Sequence, residues 1–470
     1  MSVKNTHFGA ESISKMLKDC KSVYFIGIGG INMSSLAHIT HSRGYITAGS
    51  DRTRTEITQR LANSGVEVFY GHSEENARGF DAFVYTVAIS EDNPEYAYAQ
   101  REGKPCISRA DYLGYIMMGY GRRVGVSGMH GKSTCTSMCA EILLSCNSEP
   151  TVLSGAELSS MNGAYCVGKS ENFVFEACEY MDSFLDFNPN IAVILNIEMD
   201  HVDYFKSMEQ IRTSFARYAS LVGNEGYTVY NCDDENVISS LKNYQGNRLS
   251  FGIKNQEAQL RAVNLFSRGG RYSFDILYLN EKLCHVDLSA LGYHNVYNAL
   301  AAAGACMLCG ITGEQISKGI ECFCGARRRM EYKGSINGAE VYDDYGHHPT
   351  EISTTLKGAR ELTKGRLYCV YQPHTYSRTH ALFENFSRAF DSCDRVILVD
   401  IYAAREQNSY GVSSALLAES IGDNAVYAES FEAAADILEC ELKNGDTAVV
   451  MGAGDVYKIF GNMTFSKDRR

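Results

Sequence analysis

A β-rich run that passes through a glycine turn into a helical run occurs twice in this sequence. The first run, residues 22–28, precedes a helix predicted at about 31–43. The second, residues 123–126, precedes a helix predicted from Ser133. Each turn places a helix N terminus at the carboxyl end of a strand, where open α/β sheets bind ligands. The pattern predicts an α/β fold in which helices cover parallel sheets.

The alternation continues along the chain and resumes as a third α/β block after the basic cluster at 327–329. Further strands are predicted at residues 45–48, 66–70, 82–86, 173–176, 191–196, 340–342, 366–371, 395–399 and 447–451, and helices at about 111–118 and 295–308. A chain of 470 residues is too long for a single core. We therefore predict three domains, at residues 1–119, 120–330 and 331–470.

Composition argues against several classes of protein. The formal net charge of −12 disfavours binding to nucleic acid or to an anionic membrane surface. No apolar run has the length of a transmembrane helix, and the polar start at residues 1–15 lacks the apolar stretch of a signal peptide. We expect a cytoplasmic protein. The sequence does not predict an oligomeric state.

The sixteen cysteines are spread through the chain without the compact spacing of a disulfide framework. Cys306 and Cys309 lie in an Ala-rich helical run, and Cys322 and Cys324 follow it. This spacing loosely resembles that of a zinc site. Packing in the core is favoured over metal binding, because the first pair lies in a helical pattern without turn residues.

Residues 128–134 read Gly-Met-His-Gly-Lys-Ser-Thr and lie between a predicted strand and a predicted helix. Glycines let backbone N–H groups approach phosphate oxygens, and the helix N terminus adds partial positive charge. The candidate nucleotide-binding residues are Gly128, Met129, His130, Gly131, Lys132, Ser133 and Thr134. Lys132 would contact the β- and γ-phosphates, and Ser133 would bind magnesium. The general motif has glycine where this chain has Val126, so an ordinary glycine turn is the alternative.

Two other segments carry residues that suit a metal or a phosphate ligand. Glu176 ends one predicted strand and His201 follows another, so the pair could hold a second divalent cation near the nucleotide. His201 could equally cap a helix or pack in a core. The first glycine turn, with Asp51 about twenty residues on, nearly fits a dinucleotide fingerprint. Asn32 replaces its third glycine, which leaves NAD and another diphosphate both open.

Two polar clusters follow predicted strands in the third block. Residues 343–351 read Asp-Asp-Tyr-Gly-His-His-Pro-Thr-Glu, and the plainer interpretation is a turn capped by Thr350 or Asp344. Residues 372–379 read Gln-Pro-His-Thr-Tyr-Ser-Arg-Thr. Arg378 in that segment could bind a carboxylate through two hydrogen bonds, or it could lie in a solvated loop.

Taken together, these segments resemble the Mur ligases, in order and through nearly the whole chain. The matching segments are residues 27–37, 128–134, 176–185, 196–203, 325–329, 343–351, 372–379 and 452–455, with His294, Asn295 and Asn298 among them. The clusters at 343–351 and 372–379 are those of the alanine-adding branch, whereas the phosphate loop indicates only the wider family.

The resemblance implies a Rossmann-like N-terminal domain for a UDP-sugar, a central ATPase domain with a mainly parallel sheet, and a Rossmann-like C-terminal domain for an amino acid. It implies that ATP and Mg²⁺ are used to join L-alanine to the carboxylate of UDP-N-acetylmuramate. It also favours a UDP diphosphate over NAD at the first glycine turn.

The resemblance assigns roles to matching residues. UDP-sugar binding falls to Gly27, Gly29, Gly30, Asp51 and His72. ATP binding falls to the phosphate loop with His294, Asn295, Asn298, Arg329, Asp344 and Tyr345. Metal binding falls to Ser133, Glu176 and His201, and alanine binding to His347, His374 and Arg378. The implied catalytic residues are Lys132, Glu176, His201, Arg329 and His347, the last as a candidate base for the amine.

Two departures from the family pattern bear on these roles. Thr375 stands where some members have a second arginine, which leaves Arg378 as the main carboxylate ligand. Residues 211–217 contain no lysine that could be carbamylated, as in the alanine-adding branch. Three alternatives stay open: a murein-peptide ligase acting on the same UDP-sugar, an NAD-dependent oxidoreductase, and a nucleotide-binding regulator without catalysis.

Overall fold

The computed structural model describes residues 3–201, 204–404 and 406–466, whose strands form three β-sheets. The segment at 196–203 that carries part of the family resemblance ends in Val202 and Asp203, which lie outside the described residues. The first two residues of the predicted first domain and the last four of the third lie outside them as well.

The first sheet has five parallel strands in the order β3-β2-β1-β4-β5. Its strands are β1 (Ser22–Ile26), β2 (Ile46–Asp51), β3 (Glu67–Tyr70), β4 (Ala82–Tyr85) and β5 (Cys106–Ser108), with helices α1 (Ala10–Met16), α2 (Ile31–Ser42), α3 (Glu56–Asn63), α4 (Glu74–Ala77), α5 (Pro94–Arg101) and α6 (Arg109–Met117). The strand order reverses direction at β1. The first glycine turn therefore lies at the switch point of a Rossmann-like sheet.

The second sheet has ten strands in the order β15-β14-β13-β12-β11-β10-β6-β9-β7-β8. Its strands are β6 (Arg122–Ser127), β7 (Thr151–Leu158), β8 (Gly163–Cys166), β9 (Asn172–Glu176), β10 (Ile191–Ile194), β11 (Tyr227–Asn231), β12 (Asn247–Gly252), β13 (Leu260–Arg268), β14 (Arg271–Tyr278) and β15 (Glu281–Leu291), with helices α7 (Lys132–Ser145), α8 (Met208–Ser220), α9 (Glu235–Ser240), α10 (His294–Leu308) and α11 (Gly313–Cys322). In this spatial order, every neighbouring pair between β13 and β7 is parallel. The strands β14 and β15 extend one edge in antiparallel pairing, and β8 extends the other. The predicted mainly parallel sheet is confirmed.

The third sheet has six strands in the order β16-β17-β21-β18-β19-β20, with only the β16–β17 pair antiparallel among the described strands. Its strands are β16 (Glu331–Ile336), β17 (Ala339–Asp344), β18 (Leu367–Tyr371), β19 (Arg395–Leu398), β20 (Ala425–Tyr427) and β21 (Thr447–Met451), with helices α12 (Pro349–Leu362), α13 (Tyr376–Ala381), α14 (Phe383–Arg388), α15 (Ser414–Ile421) and α16 (Phe431–Glu441). Three α/β units are thus confirmed, while the exact domain boundaries stay predictions.

Helices pack on both faces of the central sheet. On one face α7, α10 and α11 bury a cluster that includes Val126, Cys139 and Cys306. Cys306 and Cys309 are each 1% exposed in this cluster, which confirms core packing as their role. On the other face α8 packs near a short 3₁₀ segment, Tyr180–Asp186. Within the described part of the chain, no helix combines the length and apolar character needed to cross a membrane.

A tyrosine on a helix packed against the central sheet forms a hydrogen bond to the strand that leads into the phosphate loop. The hydroxyl of Tyr218, on α8, donates to the backbone oxygen of Gly125 in β6 at 2.9 Å. A Cβ atom at Gly125 would lie 2.3 Å from this hydroxyl, so only glycine fits there. The tyrosine ring stacks on Phe184 at 4.6 Å between ring centroids. Both side chains are fully buried, so the contact anchors β6 to the helix behind it.

We expect Tyr218→Phe to destabilise the protein by about 1 kcal/mol, because it removes a buried hydrogen bond while keeping the ring. The measurement is the free energy of unfolding by urea denaturation. Tyr227→Phe is the matched control, since that ring is 37% exposed at the start of β11. Equal effects of the two substitutions would contradict an anchoring role for the Tyr218 hydroxyl.

Candidate active site

The second glycine turn forms a tight loop between β6 and α7. Gly128 and Gly131 have backbone φ angles of 139° and 82°, which favour glycine. A Cβ atom at Gly131 would also lie 2.6 Å from Oδ1 of Asn298. Val126 is a fully buried residue of β6, so the loop begins after the strand at Gly128. The strand, loop and helix that the sequence predicted are confirmed.

Lys132, the first residue of α7, folds back over its own loop. Its Nζ donates to the backbone oxygens of Gly128 at 2.6 Å and Met129 at 3.1 Å. It also lies 3.0 Å from a carboxylate oxygen of Glu179, which is fully buried. Burial lowers the pKa of Lys132, but Glu179 outweighs that effect and the net shift is upward. The ammonium group is therefore charged, and the carboxylate of Glu179 already balances its charge.

The structure brings two of the three predicted metal ligands together and places the third, His201, against a different carboxylate. Ser133 donates its hydroxyl to Oε2 of Glu176 at 2.7 Å, and the N–H of Gly155 donates to the same oxygen at 2.9 Å. Nε2 of His201 instead lies 3.1 Å from Oε1 of Glu179. The sequence analysis missed Glu179, although its position three residues after Glu176 in a matching segment was a usable signal.

Glu179 thus links the phosphate-loop lysine to His201. Burial raises the pKa of Glu179, but Lys132 and His201 outweigh burial and lower it overall. The carboxylate is therefore ionised. Two carboxylates, a hydroxyl and an imidazole lie next to the loop, which is a donor set that could hold divalent cations together with phosphate oxygens.

A cavity of about 1020 Å³ opens between the central sheet and the third unit. Among the predicted nucleotide-binding residues, its wall includes His130, Gly131, Thr134, His294, Asn295, Asn298, Arg329 and Asp344. The other five, Gly128, Met129, Lys132, Ser133 and Tyr345, are outside the wall that the described residues form. The cavity has the size of a cofactor or nucleotide site.

The start of α10 contributes two amides and an imidazole to this cavity. Asn298 donates from Nδ2 to Oδ1 of Asn295 at 2.8 Å, and Asn295 donates to the backbone oxygen of Leu291 at 2.7 Å. Burial, with a contribution from Arg329, lowers the pKa of His294 to about 4. The imidazole is therefore neutral near pH 7, and its Nδ1 has no partner among the described residues.

Asp344, at the end of β17, accepts backbone hydrogen bonds within its own neighbourhood. Its carboxylate accepts the N–H of Met330 at 2.9 Å and that of Gly346 at 2.8 Å. Burial raises its pKa to about 6. The guanidinium carbon of Arg329 lies 5.4 Å from the ring centroid of Tyr345, so these predicted residues are neighbours.

The plainer interpretation of this cluster named the wrong helix cap. Helix α12 begins at Pro349 and its N-cap is His348, not Thr350 or Asp344. Nδ1 of His348 accepts the N–H of Thr350 at 3.3 Å, and the N–H of His348 donates to Glu351 at the same distance. An imidazole nitrogen thus takes the place of the usual cap oxygen, which the preference of caps for Asp, Asn, Ser and Thr does not anticipate.

The three predicted alanine-binding residues come together on the third unit. The rings of His347 and His374 are 5.8 Å apart, and Arg378 lies 3.4 Å from Nδ1 of His374. Arg378 also contacts Asp200 of the central unit at 3.2 Å, a partner that the sequence analysis missed. Burial, with a smaller opposing contribution from Glu351, sets the pKa of His347 at about 4. This imidazole is neutral near pH 7.

The first glycine turn lies on the separate N-terminal sheet. The N–H of Gly29 donates to Oδ2 of Asp51 at 2.9 Å, and Gly27 has a φ of 83°. Gly30 is the N-cap of α2. Nδ1 of His72 lies 2.8 Å from Oε2 of Glu95, a fully buried carboxylate that the sequence analysis missed. The turn and Asp51 are therefore adjacent.

A cluster of ionisable groups crosses from the phosphate loop to the third unit. Nε2 of His130 contacts Oε1 of Glu198, and its Nδ1 lies 3.2 Å from Oε1 of Glu351. Burial lowers the pKa of His130, but the two carboxylates outweigh burial and raise it to about 10. Burial raises the pKa of Glu198, but the histidines prevail and lower it to about 2. These side chains join the two units by charged hydrogen bonds.

The fold and this site define a class of α/β protein with three sheets, in which a phosphate loop follows an interior strand of the central sheet. Family models match in succession: "Mur ligase family, catalytic domain" at residues 22–120, "Mur ligase middle domain" at 126–306 and "Mur ligase, glutamate ligase domain" at 328–454. The chain belongs to the Mur ligase family.

Curated relatives match over nearly their whole length. The UDP-N-acetylmuramate–L-alanine ligase of Acetivibrio thermocellus is 45% identical over 454 residues, 96% of each chain. That of Clostridium acetobutylicum is 44% identical over 451 residues, 95% of this chain and 98% of the relative.

Solved structures show the same fold. The UDP-N-acetylmuramate–alanine ligase of Thermotoga maritima has 26% identity and a TM-score of 0.77, covering 94% of this chain and 97% of its own. A murein peptide ligase of Psychrobacter arcticus has 21% identity and a TM-score of 0.69, covering 94% and 99%. The second similarity supports the fold alone.

The raised pKa of His130 predicts that this residue stabilises the folded protein in a pH-dependent way. Its folded-state pKa of about 10 exceeds the ordinary value of 6.5, so the stabilisation is fully present below pH 6.5 and is lost as the pH rises through 10. We expect His130→Gln to lower the melting temperature more at about pH 6 than at about pH 10. An equal difference at both pH values would mean that the charged form of His130 does not stabilise the fold.

Proposed function

We propose that this protein joins L-alanine to the carboxylate of UDP-N-acetylmuramate, with ATP converted to ADP and phosphate. A continuous chain of contacts carries the proposal. Lys132 of the phosphate loop contacts Glu179, and Glu179 contacts His201. The neighbouring Asp200 contacts Arg378. A group suited to the γ-phosphate and a group suited to a carboxylate thus lie at one edge of the central sheet.

The residues present fit ATP and magnesium. The N terminus of α7 and Lys132 suit the phosphates, and the cavity beside them has His294, Asn295 and Asn298 in its wall to face a base. In this proposal Arg329 and Asp344 close over the phosphates and ribose, with Tyr345 against the base. The MurF ligase of Thermotoga maritima, which shares this fold, was solved in complex with ADP.

Oxygen donors suit Mg²⁺, and Ser133 and Glu176 supply them together. We assign one ion to this pair and a second to Glu176 with His201. Glu179 is already in contact with His201, so it is positioned to hold that imidazole. Bound Mg²⁺ would offset the negative charge of the phosphates and of the attacking carboxylate.

The chemistry requires an activated carboxylate. The sugar carboxylate attacks the γ-phosphorus of ATP, so a C–O–P linkage forms and ADP leaves. The neutral amine of alanine then attacks the acyl carbon, an amide forms, and phosphate leaves. Lys132 and Arg329 offset the repulsion between the two anions of the first step. His347, which is neutral near pH 7, can accept the proton that the amine loses.

The first sheet is assigned to the UDP-sugar. Gly27, Gly29 and Gly30 form the turn at the switch point of this sheet. Asp51 accepts a hydrogen bond from the turn, and His72 follows strand β3. Family membership favours this ligand over NAD. The cytoplasm, where ATP is available, is the proposed compartment. The relatives at 44–45% identity are alanine ligases, which favours alanine over a murein peptide as the acceptor.

The function is tested by ADP release from the purified protein with UDP-N-acetylmuramate. We expect release with L-alanine and little with L-alanyl-γ-D-glutamyl-meso-diaminopimelate. Lys132→Ala should lower the rate by about 100-fold, on the order of 3 kcal/mol, because it removes charge from the γ-phosphate. Lys169→Ala, at an exposed position of the same unit, is the control. Preference for the peptide, or full activity of the Lys132 variant, would refute the proposal.

Arg378 provides the test of the alanine site. Lysine at this position keeps the charge that faces Asp200 but loses the planar grip on a carboxylate. We expect Arg378→Lys to raise the KM for alanine roughly tenfold, a penalty of about 1.4 kcal/mol, while the KM for ATP and UDP-sugar changes little. Arg388→Lys, exposed on α14, is the control. A parallel rise in all three KM values would instead indicate a role in holding the two units together.

A further inference from the structure

Two imidazoles and a carboxylate meet where the phosphate loop faces the third unit. His130 lies in the loop, Glu198 follows β10, and His348 is the N-cap of α12. One potential ligand atom from each lies within 4.8 Å of the other two. Two nitrogen donors and one oxygen donor suit Zn²⁺, Co²⁺ or another transition metal, whereas Mg²⁺ prefers oxygen.

One separation between the donor atoms is close to that of a tetrahedral site. Both Nε2 of His130 and Nδ1 of His348 approach Oε1 of Glu198, the latter at 3.2 Å. Metal–nitrogen bonds of 2.0–2.1 Å at tetrahedral angles place neighbouring donors roughly 3.3 Å apart. The rings of the two histidines are 4.8 Å apart. Small side-chain adjustments would therefore bring all three onto one ion.

The outer contacts of the cluster resemble those around metal-binding histidines. Nδ1 of His130 lies 3.2 Å from a carboxylate oxygen of Glu351, so Nε2 is the nitrogen left for an ion. The hydroxyl of Thr350 donates to Oε2 of Glu198 at 3.0 Å, which leaves Oε1 for the ion. A carboxylate on the far nitrogen orients a histidine ligand and increases its basicity.

His348 provides a further observation. Only 5% of this residue is exposed, and its Nε2 has no hydrogen-bond partner among the residues that the structure describes. Its Nδ1 accepts one long bond, from Thr350 N–H at 3.3 Å. Buried polar atoms are normally satisfied. The nitrogen that faces Glu198 is Nδ1, at 3.2 Å, so an ion bound there replaces only the long bond from Thr350 N–H.

We propose that His130, Glu198 and His348 form a binding site for one divalent transition-metal ion. The three protein ligands leave a fourth position for water, next to the cavity whose wall includes His130 and Glu198. An ion held there ties the central unit to α12 of the third unit. The site is separate from the Mg²⁺ ligands Ser133 and Glu176, and it does not depend on the proposed ligase activity.

The test is a Co²⁺ titration of the full, tag-free chain without nucleotide, with excess Mg²⁺ present to occupy oxygen-donor sites. We expect a visible absorption band that saturates at one equivalent of Co²⁺ and disappears on addition of Zn²⁺. His348→Ala and Glu198→Gln should abolish the band. Glu351→Gln should weaken Co²⁺ binding by roughly 10–100-fold, because it removes only the outer contact to His130.

His285→Ala is the matched control for adventitious binding. This exposed histidine lies 2.8 Å from Asp275 and 3.6 Å from Asp287 on the antiparallel strands of the central sheet. Its removal should leave the band unchanged. The melting temperature of each metal-free variant establishes that it is folded, and Glu198→Gln preserves side-chain volume for that purpose. The absence of a band at one equivalent, its persistence in both ligand variants, or its loss in the control would overturn the proposal.

Discussion

The buried ion pair between Lys132 and Glu179 sets the state of the phosphate loop. An ammonium group in this position requires a counter-charge, because an unpaired buried charge costs several kcal/mol. Here the carboxylate of Glu179 and two loop carbonyls provide the compensation. A phosphate that enters the loop has to replace some of these contacts. The lysine is therefore held in charged form by the protein until the nucleotide takes over that role.

The same carboxylate connects the loop to the rest of the site. Glu179 contacts His201, and Asp200 beside it holds Arg378 of the third unit. A second connection runs through His130, Glu198 and the start of α12. Among the described residues, no buried apolar cluster spans the central and third units, which meet through charged side chains. Such contacts can be exchanged for contacts with charged substrates, which suits a site assembled from separate units.

The sequence was most informative where local pattern determines structure. The two glycine turns, the strands that precede them and the helix at His294–Leu308 follow from periodicity and turn chemistry. The antiparallel strands β13–β15 were not predicted, because the prediction relied on strands alternating with helices, and these strands follow one another without a helix between them. Asp200 and Glu351 act through partners distant in the chain, such as Arg378 for Asp200. No local pattern specifies such pairs, so only the fold could identify them.

The order of strands in the central sheet has a consequence for synthesis. Strand β6, which leads into the phosphate loop, lies between β9 and β10. Both neighbours come later in the chain, so a nascent polypeptide leaves at least one edge of β6 unpaired until it has grown past Ile194. Val124 and Val126 of this strand are fully or almost fully buried in the finished sheet. An unfinished chain of this length presents an apolar strand with an open edge, a form prone to pair with other chains.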